Sequence, residues 1–223
     1  MPTRARTSPS GTRLAGRARA TADAAQAVDG RRAWRDRNLS AVVDALLDLF
    51  NEGNLRPGAD EIAARSGVSR RSVFRYFDDL DTLDRTAIER QTGRVSHLVE
   101  LPGLGTGAIE DRIDRLVAQR LRLFEAILPV ARVSRLRAPF EPVLADGLAR
   151  SRHLFRRQVE RHFAGELRPL SRSARNATLG AAEVLCSFEA YELLRLGQGQ
   201  TAKQIGEVMR VGLTSLLGGR RGR

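Results

Sequence analysis

Residues 60–77 read Asp60-Glu61-Ile62-Ala63-Ala64-Arg65-Ser66-Gly67-Val68-Ser69-Arg70-Arg71-Ser72-Val73-Phe74-Arg75-Tyr76-Phe77. The order of residue types predicts a helix-turn-helix. Ile62 and Ala63 form the apolar face of a short first helix, Gly67 gives the permissive backbone that a helix end needs, and Val68 is the buried residue of the turn. Ser69 is an N-cap for the second helix. Val73, Phe74 and Phe77 recur at helical spacing on its inner side, so Arg70, Arg71, Ser72 and Arg75 project from its first turns and outer face. These are DNA-facing residue types. An ordinary helical hairpin would share part of the pattern, and the flanking chain has to decide between the two.

Upstream, Leu39, Val42, Val43, Leu46, Leu49 and Phe50 follow one helical stripe that closes near Gly53. This helix would lie across the motif and supply its core. Arg35 and Arg37, near its start, could reach phosphates, and Trp34 reads as a packing residue. Residues 1–31 carry no apolar period and are expected to be a disordered basic arm. Arg4, Arg6, Arg13, Arg17 and Arg19 are unopposed by any acid in the first twenty residues. Such an arm either adds phosphate contacts or is a solvated tail. The DNA-facing domain is expected over residues 32–80.

Downstream, Asp78-Asp79-Leu80-Asp81 caps a fourth helix, and a Pro- and Gly-rich break follows at 101–107. A core helix runs from Ile109, with Phe124 on its apolar stripe, to Pro129, which is expected to end it. A short arginine-rich helix and a longer one from Pro142, carrying Phe155, come next. Residues 174–195 are apolar nearly all round and predict one helix buried on more than one face. Thr201 with Gln204 makes a capping box for the last helix, up to Gly218. The chain reads as all-α, with about nine helices, a helical domain over 81–218 and a basic tail at 219–223. Spare apolar surface on the last two helices points to a dimer interface through Val184, Phe188, Tyr191, Ile205, Val208, Met209, Gly212, Leu213 and Leu216; the alternative is the chain's own core.

The 223 residues, 42% of them hydrophobic, suffice for a sizeable core. The formal net charge is +12 and the pI is about 11.4, which favours polyanions such as nucleic acid or an anionic membrane surface. Lys203 is the sole lysine. The single cysteine, Cys186, excludes an intramolecular disulfide and a cysteine metal cluster. No run approaches a membrane span, so no membrane partner and a cytoplasmic location are expected. His97, His153 and His162 are scattered, without metal-ligand spacing, and no phosphate loop is present. Neither catalytic residues, nor a metal, nor a cofactor is expected: the chain does not read as an enzyme.

On residues 39–83 the sequence resembles the tetracycline-repressor (TetR) family of transcriptional regulators: Glu61-Ile62-Ala63, Gly67-Val68-Ser69, Phe74-Arg75-Tyr76-Phe77 and Leu83 stand in its pattern. The resemblance implies a homodimer, each recognition helix entering a major groove of a palindromic double-stranded operator. It implies that Arg70, Arg71 and Ser72 meet base edges and nearby phosphates, and that Tyr76 donates its hydroxyl to a phosphate. It further implies a small-molecule ligand, of unknown identity, that releases a repressor from DNA, with Phe124, Phe155, Cys186 and Glu189 as candidate liners. Three positions depart from the pattern: Phe74 where tyrosine is common, Leu80 where lysine is common, and Gly58 where Ser or Thr usually caps. The alternatives are an architectural DNA binder without a ligand switch and a helical scaffold with a degenerate motif.

Overall fold

The computed structural model describes residues 10–218, and among them ten α-helices and no strand. The first nine residues of the expected arm and the tail at 219–223 lie outside the described residues. Helix α1 spans Ser10–Asn51. It therefore enters well before residue 32. The stretch from Ser10 is rich in alanine and arginine, both good helix formers, so it has helical propensity without an apolar period.

Helices α2 (Ala59–Ser66) and α3 (Arg70–Tyr76) form the motif, and local chemistry sets their ends. The Gly58 amide donates to Glu61 Oε2 at 2.7 Å, so the N3 glutamate covers for a cap without a side chain. Gly67 ends α2 at φ 69°, left-handed backbone that a β-carbon would strain. Ser69 Oγ accepts from the Ser72 amide at 3.3 Å and starts α3. Asp79 then caps α4 (Leu80–Arg94) through the Thr82 amide at 2.6 Å.

One core joins Val42, Leu46 and Phe50 of α1 to Ile62, Val73, Phe77 and Leu83. Its last members come from α5 (Ile109–Arg137), namely Val130 and Val133. Helix α5 does not stop at Pro129. Proline costs a helix interior about 3 kcal/mol. Fully burying a valine stabilises by about 1.5–3 kcal/mol, so Val130 and Val133 together offset the defect.

The second core is built on the earlier turns of α5, with Leu116, Val117 and Phe124, against α6 (Pro142–His162), α7 (Ala164–Leu167), α8 (Arg172–Leu185), α9 (Phe188–Glu192) and α10 (Ala202–Leu217). The helix expected over 174–195 is broken at Cys186. Ser187 Oγ donates to Val184 O at 2.8 Å and accepts from the Ala190 amide at 3.1 Å, which ends α8 and restarts the chain as α9. Thr201 and Gln204 form the capping box of α10. A β-carbon on Gly212 would lie 2.6 Å from Leu185 Cδ1, so the Leu185 side chain of α8 occupies the space that this glycine of α10 leaves free.

Helices α4 and α5 are joined by a charge cluster in which Asp84 is buried and Asp81 exposed. Arg137 pairs with Asp84 and Asp81 and lies 3.3 Å from Glu141. Burial pushes the Asp84 carboxyl up to about 7, outweighing Arg137, and the Asp81 and Glu141 carboxylates push the same way. The fold thus prefers Asp84 protonated. Its contribution is complete below the unfolded value of about 4 and is lost as pH rises through about 7. Stability should fall over this window by of order 1 kcal/mol per pH unit from this group, and Asp84→Asn should flatten that fall. Thermal melts of both proteins between pH 5 and 8 check this; parallel curves would exclude Asp84 as the source.

Candidate nucleic-acid interface

Helix α3 is anchored by Val73, fully buried, and Phe77. Its outer face carries Arg70, Arg71, Phe74 and Arg75, all exposed. Phe74 is the departure from expectation: it is 43% exposed, and Tyr76 takes the inner place against the first core. The two differ by little more than half a turn, and the slot between α1 and α3 accepts Tyr76. Phe74 instead lies one turn from Arg70, whose guanidinium carbon sits 6.0 Å from its ring.

Tyr76 closes a polar edge that α1 and α3 share. Its hydroxyl accepts from Asn38 Nδ2 at 3.3 Å and from Arg75 Nη2 at 3.2 Å. Arg75 also donates to Ser72 Oγ at 3.1 Å. What little burial there is pushes the phenol up, but the hydrogen bonds from Asn38 and Arg75 and the charges of Arg75 and Arg35 hold it below its ordinary value. The charge of Arg35 thus reaches this edge, and Asn38 is a member that the sequence did not single out. A side chain so far upstream of Tyr76 has no local signal. Arg37 is exposed on the same helix, as is Trp34 at 53%.

Arg70 has a competing partner, since its Nη1 lies 3.1 Å from Asp60 Oδ2. Both side chains are well exposed, so the pair is worth no more than about 1 kcal/mol and yields readily to a base edge. Asp60→Asn frees Arg70 and removes a negative charge beside the recognition face. It should tighten DNA binding by about 2- to 5-fold at low salt without moving the melting temperature. Fluorescence anisotropy with duplex DNA reads this; unchanged affinity would place Asp60 away from the phosphates.

The candidate ligand liners fall on two adjoining cavities between α4, α5, α6, α8 and α9. Phe124 and Phe155 line a lobe of 200 Å³, and Phe155, Cys186 and Glu189 line one of 420 Å³. Burial pushes the Cys186 thiol up to about 11, so it remains a thiol and acts as packing. A larger cleft of 550 Å³, near Ile109 and Leu217, lies at the far end of α5 from the first core.

The nine residues expected at a dimer interface divide. Phe188, Tyr191, Ile205, Met209 and Leu213 are buried in the chain's own second core. Leu216 and Gly212 are half-buried, whereas Val184 and Val208 are 67% and 40% exposed. Val211, which the sequence reading passed over, is 58% exposed on the same side of α10.

The chain has the fold of solved TetR-like regulators. It matches a transcriptional regulator from Rhodococcus sp. RHA1 with a TM-score of 0.59 at 16% identity, covering 83% of this chain and 96% of that one. It matches a TetR-like transcriptional regulator from the same organism with a TM-score of 0.52 at 17% identity, again over 83% and 96%. No family model and no curated protein matches the sequence. Among the described residues no helix is long and apolar enough to cross a membrane.

Proposed function

We propose that the protein is a TetR-like, homodimeric, sequence-specific DNA-binding regulator, a repressor released from a palindromic operator by a small molecule. The observation that carries this is the outer face of α3, where Arg70, Arg71, Phe74 and Arg75 stand exposed on a helix fixed from behind by Val73 and Phe77. Arginine pairs bidentately with guanine, and an exposed phenylalanine can meet a thymine methyl group. The edge formed by Arg35, Asn38 and Tyr76 offers donors for the flanking phosphates, which position a protein without specifying sequence.

For the dimer, α8 and α10 present Val184, Val208 and Val211 together with the small residues Ala177 and Gly180. Two such helix pairs would bury this strip against each other. For the switch, α4 is the connecting part. Its Leu83 and Ala87 belong to the first core, while Ile88, Thr92 and Val95 line the smaller cavity. Arg90 and Arg94 tie it to Asp44 of α1, at 3.4 and 2.9 Å, and Gln91 Nε2 donates to Ala126 O of α5 at 2.9 Å. A ligand that prefers one setting of α4 weakens DNA binding by its differential affinity for the two settings.

Footprinting on the DNA upstream of the protein's own gene tests this. A protected palindrome whose protection fades with a small molecule is expected. Uniform binding governed by salt alone would make the protein an architectural binder.

A further inference from the structure

The two cavities form one elongated site, since both are bounded by Arg135, Leu148, Phe155 and Phe188. The inner lobe is mainly apolar, walled by Val99, Leu123, Phe124 and Ile127. The outer lobe is charged. There a single carboxylate, Glu189, accepts from Arg135 Nε at 3.1 Å and from Arg152 Nη2 at 3.0 Å. Arg135 is further held flat on Phe188, 4.0 Å from the ring centroid. Glu183, the other acid on the wall, is occupied by Arg156.

A further positive charge stands behind the wall. Arg120 is fully buried, with its guanidinium carbon 4.4 Å from the centre of the Phe155 ring. Its acceptors are neutral: the side-chain oxygen of Gln119, Gln158 Oε1 at 2.9 Å and Phe155 O at 3.5 Å. Burial pushes its pKa down to about 10, which leaves it charged at neutral pH. Four arginines thus surround the site against two glutamates, and the low dielectric of the interior strengthens that excess. The wall hydroxyls are already committed to their own helices: Ser134 donates to Val130 O, Ser151 to Gly147 O, Thr92 to Ile88 O and Ser187 to Val184 O, all within 3.0 Å. Guanidiniums are therefore the donors that a ligand meets.

We propose that the site takes a hydrophobic monocarboxylic acid, with its tail among Leu123, Phe124 and Ile127 and its carboxylate between Arg135 and Arg152 in place of Glu189. This rests on the ligand-switch reading and names the ligand class. A cation is repelled by the charge excess, and a neutral polar group leaves the guanidiniums facing Glu189 alone. A carboxylate matches their geometry and displaces an acceptor of its own kind.

The test titrates the full-length protein with straight-chain carboxylic acids and phenylalkanoic acids of graded length, each beside the primary alcohol of the same skeleton. The acid should bind about tenfold or more tighter than its alcohol, the difference made by hydrogen bonds to charged groups. Arg152→Gln, at the more exposed arginine, should remove that preference and leave the alcohol unaffected. Glu189→Gln should tighten acid binding, a gain that damage to the fold cannot imitate. No acid binding, equal binding of acid and alcohol, or weaker acid binding by Glu189→Gln would overturn the proposal. Anisotropy with operator DNA separates the two readings. An acid that binds without releasing DNA supports the carboxylate site and refutes the switch; release by a neutral or cationic compound, with acids unbound, refutes the carboxylate class and keeps the switch.

Discussion

Alanine at both Arg70 and Arg71 should lower operator affinity by at least about 30-fold, because each bidentate arginine–guanine pair supplies about 1–3 kcal/mol of discrimination. The fold should not register the change. Both side chains are exposed, and the one ion pair lost, with Asp60, is a solvated one. Melting temperatures of variant and parent should therefore agree closely, which separates a recognition role from a structural one. The salt dependence then says what kind of contact was lost. Two lost phosphate contacts would reduce the slope of log affinity against log salt by about 2 per protomer and weaken all sequences alike. Lost base contacts leave the slope nearly unchanged and erase the preference for the operator. Unchanged operator affinity would remove α3 from the interface.

Phe124→Ala should be the most damaging single truncation in the C-terminal half. The ring is fully buried and makes edge-on contacts with Phe155 and Phe188, centroids 6.1 and 5.7 Å away, and a tilted one with Tyr191 at 5.6 Å. Truncating a buried phenylalanine costs about 3–5 kcal/mol. In a chain of this size that lowers the melting temperature by about 6–20 °C. The vacated volume adjoins the 200 Å³ lobe, so the surviving protein should accept bulkier ligands. Well below its melting temperature, its DNA affinity should stay near that of the parent. A melting shift of only a degree or two would show that the four rings are not a unit.

What could be read from the chain was what neighbours within a few residues decide. Ser69, Asp79 and Thr201 each cap a helix through an amide three residues on, and Gly67 takes the backbone that only glycine takes cheaply. What escaped depends on partners far along the chain. Whether Phe74 or Tyr76 turns inward is settled by α1, and the inward sides of α9 and α10 by α5. Helix α10 is apolar on two sides, so its periodicity could not tell Met209, which is buried, from Val208, which is not. Pro129 misled for the same reason: its local cost is outweighed by valines that find their pocket between α1 and α4.

The placement of Val130 and Val133 also constrains anyone who would build hybrid regulators from this chain. A graft joined in the loop at 101–107 would carry α3 but strip its core of two buried valines, and with them the Arg137 anchor that holds Asp84. The donor half would have to extend through Arg137, bringing most of the cavity wall of α5 with it. On the proposed function, operator choice and inducer choice would be inherited partly together, and new pairings of the two would be better sought by surface substitution on α3 than by exchange of halves.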